Sequence, residues 1–381
     1  MTTYQPQITQ SADKSGILTF TLSGVSTPFA NAIRRAILHE TPVYAFVTEP
    51  YSENKATIAS SIADMNNEVI KQRLSSIPIH ISDPDFPYQN YTVECEIQNT
   101  TDTIKYVTTA DFKIRNTITG KYLSDIETRN IFPPQSIPFA TLNGATGFHI
   151  FVRLKPQLAE SNIPGEHIQM SCELSKCKSG DNGMFAQCIC GYGFTPISGP
   201  QLDAALKVAV ETWRAEQPDI TSAQLDLLTA NWRILDSKRL YIPNSFDFRV
   251  ESFGVYTNRE LVTLGCTAIK GQLSSIGDAN LEVKKSKTTV KNGFDVFIKT
   301  TSETPIDLYG VGYIIADLMN SQFFGKSVNF VGCHNFHPED KHIVVRVGYI
   351  EPVEPTTVLQ NIIECARLGA DIYERIMNAS K

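Results

Sequence analysis

One succession of elements, a strand, an apolar helix, further strands and a long helix, can be read twice in this chain. The first reading opens at Ile17-Leu18-Thr19-Phe20-Thr21-Leu22, where apolar and polar side chains alternate with the period of a half-buried sheet. A helix follows: Ser26 or Thr27 can cap it, Pro28 sits where a missing N–H costs nothing, and Pro42 lies just beyond its end. Within it Phe29, Ile33 and Ile37 recur every four residues, with Ala30, Ala36 and Leu38 beside them and Arg34 and Arg35 to the side of that stripe. The second reading begins at Phe294-Asp295-Val296-Phe297-Ile298 and continues into a helix with Ile314, Ile315, Leu318 and Met319 along one side. Strands at 328–332 and 343–347 come next, then a helix from Pro355 with Val358, Leu359, Ile362, Ala366 and Ile376 on one face. Two such modules each expose an apolar helix face. Burying those faces on one another gives an α+β fold built as an intramolecular pseudo-symmetric pair, with Phe29, Ile33, Ile37, Ile314, Ile315, Leu318 and Met319 as the pairing residues.

The first module is interrupted. From 49 to 198 short alternating runs such as 91–97 and 148–154 are separated by Pro-, Gly-, Asn- and Asp-rich turns, which predicts an inserted β-rich domain. Residues from about 200 to 240 change to Ala, Leu, Gln and Trp at helical spacing, a helical excursion. A strand at 246–252 and a helix from Asn258, with a seam of Leu261, Leu264, Ala268, Leu273 and Ile276, complete the module. The expected organisation is therefore 1–48 with 199–276, the insertion 49–198, a polar lysine-rich linker 277–289, and a second module 290–381.

Composition narrows the function. The chain is 42% hydrophobic and 19% charged, without the run of about 18 apolar residues that a membrane span needs. The start, MTTYQPQITQ, lacks a basic stretch followed by an apolar core, and eight cysteines without an export signal point to free thiols in a reducing, intracellular setting. A net charge of −6 argues against a large autonomous nucleic-acid surface, since phosphate binding relies on clustered Lys and Arg.

No phosphate-binding G-x-x-x-x-G-K-[ST] loop, G-x-S-x-G elbow or H-E-x-x-H pair is present, so no catalytic residue is expected. Cys172, Cys177, Cys188 and Cys190 could close a tetrahedral zinc site, but their spacing is not a pair of C-x2-C knuckles, and strand alternation turns Cys188 and Cys190 to one face regardless. Cys333, His334, His337 and His342 read more simply as parts of a turn and a strand. No cofactor is expected, with zinc at the cysteines the exception to test. The competing readings are a β-rich zinc-binding protein or enzyme and an autonomous nucleic-acid-binding protein.

A family resemblance separates these readings. The stretch from Leu22-Ser23-Gly24-Val25 through Asn31-Ala32-Ile33-Arg34-Arg35 to Thr41-Pro42 resembles the signature shared by bacterial alpha, its archaeal D-type counterpart and the third-largest eukaryotic RNA polymerase subunit. The run 66–79, with Arg73-Leu74 and Ile77-Pro78, looks like the family's Arg-Leu-x-x-Ile-Pro stretch. Gly165-Glu166-His167 is similar to its Gly-x-x-His turn, and 248–254 to its Val-Glu-Ser-x-Gly strand. The C-terminal part resembles the small partner, the archaeal L-type protein, through Val311-Gly312-Tyr313-Ile314-Ile315 and the run from Gly332 through His337-Pro338 to Arg346, although Tyr309-Gly310 replaces the usual His-Thr. The cysteine-rich zinc loop of many D-like proteins is missing, because residues 80–94 contain no cysteine.

The resemblance implies a noncatalytic scaffold for a DNA-dependent RNA polymerase. The D-like and L-like parts would pair and hold the two largest subunits, with Asn31, Arg34, Arg35 and Arg73 facing them and the second arginine against the second-largest. Other small subunits are further expected partners, with little direct nucleic-acid contact and no membrane. Fusion of both parts resembles the polymerases of large cytoplasmic DNA viruses, which implies the virion and the host cytoplasm as locations.

Overall fold

The structure is a computed structural model that describes residues 4–61, 63–134, 147–157, 164–277, 281–301 and 305–380. In chain order the elements are β1 (Gln7–Lys14), β2 (Ile17–Ser23), α1 (Thr27–His39), β3 (Pro42–Ala45), β4 (Ala56–Ser61), α2 (Asn67–Ser75), β5 (Tyr91–Gln98), β6 (Lys105–Thr108) and β7 (Lys113–Asn116). Then come α3 (Asp125–Ile131), β8 (Ile150–Leu154), β9 (His167–Glu173), β10 (Ser175–Lys178), β11 (Cys188–Pro196), α4 (Pro200–Glu216), α5 (Ser222–Ile234) and β12 (Tyr241–Ser252). The last are α6 (Asn258–Ser274), β13 (Leu281–Lys285), β14 (Gly293–Lys299), α7 (Leu308–Phe323), β15 (Val328–His334), β16 (His342–Tyr349) and α8 (Pro355–Ser380). The fold is mixed α+β and divides into two compact units, one of residues 1–37, 189–251 and 258–381, the other of 38–188 and 252–257.

The first unit holds two four-stranded sheets, in the orders β1-β2-β12-β11 and β13-β14-β16-β15. Replacing β1, β2, β11 and β12 by β13, β14, β15 and β16 turns one order into the other. The helices follow suit, α1 after β2 as α7 after β14, and α6 after β12 as α8 after β16. The central strands also pair alike: Leu18, Phe20 and Leu22 lie opposite Val250, Phe248 and Phe246, as Phe294, Val296 and Ile298 lie opposite Val347, Val345 and Ile343. All twelve are buried, so each sheet turns one apolar row inward, at about 1.5–3 kcal/mol per fully buried side chain.

Two expectations are corrected in this unit. The segment read as a linker, 277–289, contains β13, which pairs along its length with β14. Its Lys284 protects a sheet edge, bonding Glu282 at 2.6 Å and lying over the Phe297 ring at 4.8 Å, while Lys299 of β14 reaches the same Glu282 at 2.6 Å. On α6 the buried stripe includes Leu261, Val262, Gly265, Cys266, Ile269 and Leu273, whereas the expected seam residues Leu264 and Ala268 are only half-buried. Gly265 explains the rotation, because a Cβ there would stand 2.8 Å from Ile37, so the helix turns its smallest residue toward α1.

The second unit contains the sheet β4-β9-β5-β7 and the strand pairs β10-β3 and β6-β8 around a core that includes Phe46, Phe132 and Phe151. Asn66 caps α2, its side chain accepting from the N–H groups of Glu68 and Val69. The bounds 49–198 read from the sequence differ from this unit's, because β3 pairs with β10 across a long stretch of chain and the residues after Cys188 continue β11. Residues 1–3, 62, 135–146, 158–163, 278–280, 302–304 and 381, which belong to the expected domains and linker, lie outside the described residues.

Candidate pairing and assembly surface

The helices α1, α6, α7 and α8 meet within the first unit. Phe29, Ile33, Ile37, Ile314, Ile315, Leu318 and Met319 are all at most 1% exposed. Phe29 packs against the Tyr373 ring of α8 at 5.5 Å, and the Tyr373 hydroxyl donates to the Phe29 carbonyl at 3.1 Å. Burial, then Cys266 and Asp307, pushes the Tyr373 phenol well above its usual range, which keeps it protonated and a donor. α1 and α7 approach closely where Gly310 lies: a Cβ there would be 3.5 Å from the Ala32 methyl.

The polar contacts across this seam are reciprocal. Asp307 is the residue before α7 and makes no cap bond to its own helix; its two oxygens accept from Nε and Nη2 of Arg35 at 3.0 and 2.8 Å. Ser26, the residue before α1, donates to Asp317 at 2.6 Å, and the Tyr4 hydroxyl donates to the same oxygen at 2.6 Å. Burial and the Asp317 carboxylate raise the Tyr4 phenol, holding its proton in that bond. Arg35 and Asp317 both lie in the third turn of their helices. The start of each helix is thus gripped by the third turn of the other, the arrangement a two-fold axis produces. Gln272 of α6 adds an acceptor for the Asp307 N–H at 3.0 Å.

Of the residues expected to face large partners, Arg35 is spent on Asp307 and on the Tyr309 ring, 5.3 Å away. Arg73 is spent inside the second unit, donating to the carbonyls of Phe151 at 2.7 Å and Ile150 at 2.9 Å. Arg34 and Asn31 remain half-buried and bond only each other in the described contacts, Nε and Nη2 of Arg34 donating to the Asn31 side-chain oxygen Oδ1 at 3.2 and 3.0 Å. Sequence reasoning passed over Asp307, Asp317, Gln272, Tyr4 and Tyr373. A signal existed for Asp317, a lone carboxylate within Ile314-Ile315-Ala316-Asp317-Leu318-Met319.

Among the described residues no three His, Cys, Asp or Glu side chains stand together as a metal-binding group. Cys172 sits on β9 in the core of the second unit, its thiol pushed up to about 12 by burial; the thiols of Cys177 and Cys188 are pushed up to about 11 by the same cause. Cys190 lies buried on β11. Cys333, His334 and His342 lie on β15 and β16, and His337 in the connecting turn. No described helix is long and apolar enough to cross a membrane.

A repeated α+β plan whose helices bury against one another is the architecture of a dimerisation domain. The family model for the RNA polymerase Rpb3/Rpb11 dimerisation domain matches residues 19–273, from β2 into α6, and the chain belongs to that family. It is similar to the DNA-directed RNA polymerase subunit Rpo3 of Pyrococcus horikoshii, 40% identical over 62 residues, 16% of this chain and 21% of the relative. The same protein of Thermococcus kodakarensis is 40% identical over 60 residues, 16% of this chain and 20% of the relative. The chain thus spans about a fifth of the length of the relatives it matches.

Proposed function

We propose that this chain is a noncatalytic assembly platform of a DNA-dependent RNA polymerase, carrying both members of the pairing in one polypeptide, and that it holds the two largest subunits. The observation that carries the reading is the second appearance, beyond the family match, of the sheet order and helix placement found within it. The two modules, approximately 1–48 with 199–276 and 290–381, then form an internal pseudo-dimer, with the β-rich insertion as a separate body. Joining the members makes their association intramolecular, so that pairing does not depend on matched concentrations. Membership in a polymerase dimerisation family, together with the absence of the catalytic motifs sought in the sequence, disfavours the zinc-protein, enzyme and autonomous nucleic-acid-binding alternatives.

Among the expected contact residues, Asn31 and Arg34 are the ones we assign to the large subunits, the second-largest in particular, since Arg35 and Arg73 have internal partners. Native purification of the tagged chain tests the reading: two very large chains should accompany it, and purification alone would refute it. Arg34→Ala should weaken their capture with the melting temperature unchanged. Arg35→Ala should instead destabilise the chain by about 1–3 kcal/mol, because it strands a half-buried Asp307. The single-chain joining is also the ground for proposing a large cytoplasmic DNA virus as the source, and detection of the chain in purified particles decides that point.

A further inference from the structure

In the first unit a row of aromatic side chains starts in the core of the β1-β2-β12-β11 sheet and ends in solvent. Phe20 stacks on Phe248 at 4.9 Å, Phe248 on Tyr192 at 5.3 Å, and Tyr192 meets Phe246 at 5.6 Å. Phe246 meets Phe194 at 5.4 Å, and Phe194 stacks on Tyr241 at 4.5 Å. Tyr192 and Phe194, two residues apart on β11, thus lie on the face that carries the buried row. β11 is the edge strand of that sheet, and its cover thins along it: Cys190 is 8% exposed, Tyr192 half-buried and Phe194 45% exposed, with Tyr241 at 50%. A stacked aromatic pair left half in water is contact material, because each ring offers a large apolar area on few rotatable bonds.

The flank of α1 brings a cation to the same row. Burial raises the Tyr192 phenol and the Arg34 charge opposes that rise, so the guanidinium stands beside the inner end of the emerging rings. Nε and Nη2 of Arg34 both donate to Oδ1 of Asn31, and Arg34 meets no carboxylate among the described residues. Those two bonds use both lone pairs of the pair's one acceptor, and the groups left over, Nη1 of Arg34 and Nδ2 of Asn31, can only donate. A half-buried set of donors around a positive charge suits a carboxylate, which a guanidinium and an amide hold in a forked grip. The other module lacks this set: counted from Arg35 and Asp317, the places of Asn31 and Arg34 are taken in α7 by Tyr313 and Ala316. Nucleic acid is disfavoured, since phosphate binding gathers many cations and here Arg34 alone is seen to act on Tyr192, in a chain of charge −6.

We propose that the α1 flank and the β11 edge together receive a short acidic and apolar motif of a large polymerase subunit, its carboxylate on Arg34 and Asn31 and a neighbouring apolar side chain on the Phe194 and Tyr241 rings. The proposal deepens the assignment of Asn31 and Arg34 to that subunit and rests on it. Photoreactive benzoylphenylalanine in place of Tyr241 is carried into the native assembly and irradiated, with Ile118 of the second unit, 74% exposed, as the control position. The captured segment should come from a large subunit and hold an Asp or Glu within a few residues of the captured site. Arg34→Glu should cut capture per chain at least about tenfold, and replacing that partner carboxylate by lysine should restore it. If Arg34→Glu lowers the melting temperature, Arg34→Gln takes its place and capture should fall in the same direction. Capture no greater than at Ile118, capture of nucleic acid or of a second copy of this chain, a captured segment without a carboxylate, or capture indifferent to the Arg34 variants would overturn the proposal, while the co-purifying subunits left the assembly reading standing.

If no large subunits accompany the chain, the assembly reading fails and the surface is judged alone. The purified full chain is then panned against displayed peptides that place one acidic residue beside an aromatic one. Peptides that bind at least about tenfold less well to Arg34→Gln and to Tyr241→Ser, both at unchanged melting temperature, support the surface as a receptor for such a motif. Absence of enriched peptides, or undiminished binding to either variant, overturns it.

Discussion

In the N-terminal half of the first unit the third turn of α1 offers an arginine to the start of α7; in the C-terminal half the third turn of α7 offers a carboxylate to the start of α1. The two grips occupy equivalent places and differ in chemistry, one a forked ion pair, the other a carboxylate oxygen shared by two hydroxyls. That difference sets which halves can pair. Two copies of the N-terminal half would bring Arg35 to Ser26, leaving the guanidinium without its carboxylate. Two copies of the C-terminal half would bring Asp317 to Asp307, like charges at close range. Unlike pairing satisfies every group and like pairing satisfies neither, so under the proposed pseudo-dimer reading the seam favours an unlike pair. The halves differ also in what they carry. Between α1 and β11 the first accepts most of the second unit, and between β11 and β12 the helices α4 and α5, whereas the links between β15, β16 and α8 in the second are short.

The largest difference in bulk within that correspondence falls six residues before the gripping side chains, where α1 carries Phe29 and α7 the smaller Val311. Phe29 fills the space between Tyr4, 5.2 Å away, and Tyr373 at 5.5 Å, and is fully buried. Phe29→Ala should therefore cost about 3–5 kcal/mol, read as a loss in denaturant midpoint at unchanged slope. A loss under about 1 kcal/mol would show that the two halves do not depend on this ring for their pairing.

A smaller contrast lies in the following helices, each of which brings a glycine to the seam. A Cβ on Gly265 of α6 would meet Ile37 at 2.8 Å from its Cγ1 and 3.1 Å from its backbone nitrogen, so α1 itself would have to move. A Cβ on Gly369 of α8 would meet only side-chain ends, Leu273 at 3.1 Å, Ile314 at 3.3 Å and Leu318 at 3.4 Å. Gly265→Ala should destabilise by about 1–3 kcal/mol. Gly369→Ala should come out near neutral, since helix propensity returns up to about 1 kcal/mol against slight crowding. Thermal melts of the two variants compare the halves directly, and equal losses would sink the idea that the α1–α6 contact is the tighter.

The sequence spelled out what local chemistry controls. Pro28 and Pro42 bracketed α1, observed over Thr27–His39, and alternation located β2, β12, β14 and β16. It was silent where a distant partner decides. Leu281–Lys285 alternates too weakly to announce a strand, and only β14 makes it one. Arg35 carries no mark of Asp307, which lies 272 positions away, so its ion pair within the chain was not legible in the sequence. The buried stripe of α6 was misjudged because a glycine carries no hydrophobic signal, yet Gly265 lies where the helices come closest. In the candidate site the apolar pairing residues were legible from their spacing, and the carboxylates that pair with Arg35, Ser26 and Tyr4 were not.

The smallest effect is expected where the halves differ most in sequence. α4 and α5 together bury a single residue, Trp232, and leave Val208, Leu227 and Ile234 more than 60% exposed. The strands on either side are already tied at the base of the excursion, the Ile197 N–H donating to the Leu240 carbonyl at 3.2 Å. Removing residues 200–238 and closing the gap with a short glycine-containing turn converts β11 and β12 into a plain hairpin, as short as the β15–β16 connection of the other half. Loop closure then becomes slightly easier and almost no apolar burial is lost, so stability should change by less than about 1 kcal/mol. A melting temperature held within a few degrees would make the excursion an addition to the N-terminal module, free to serve a contact outside it. A collapse of the fold would mean that the helices brace the β11 edge, and that the two modules need different supports to hold the same sheet.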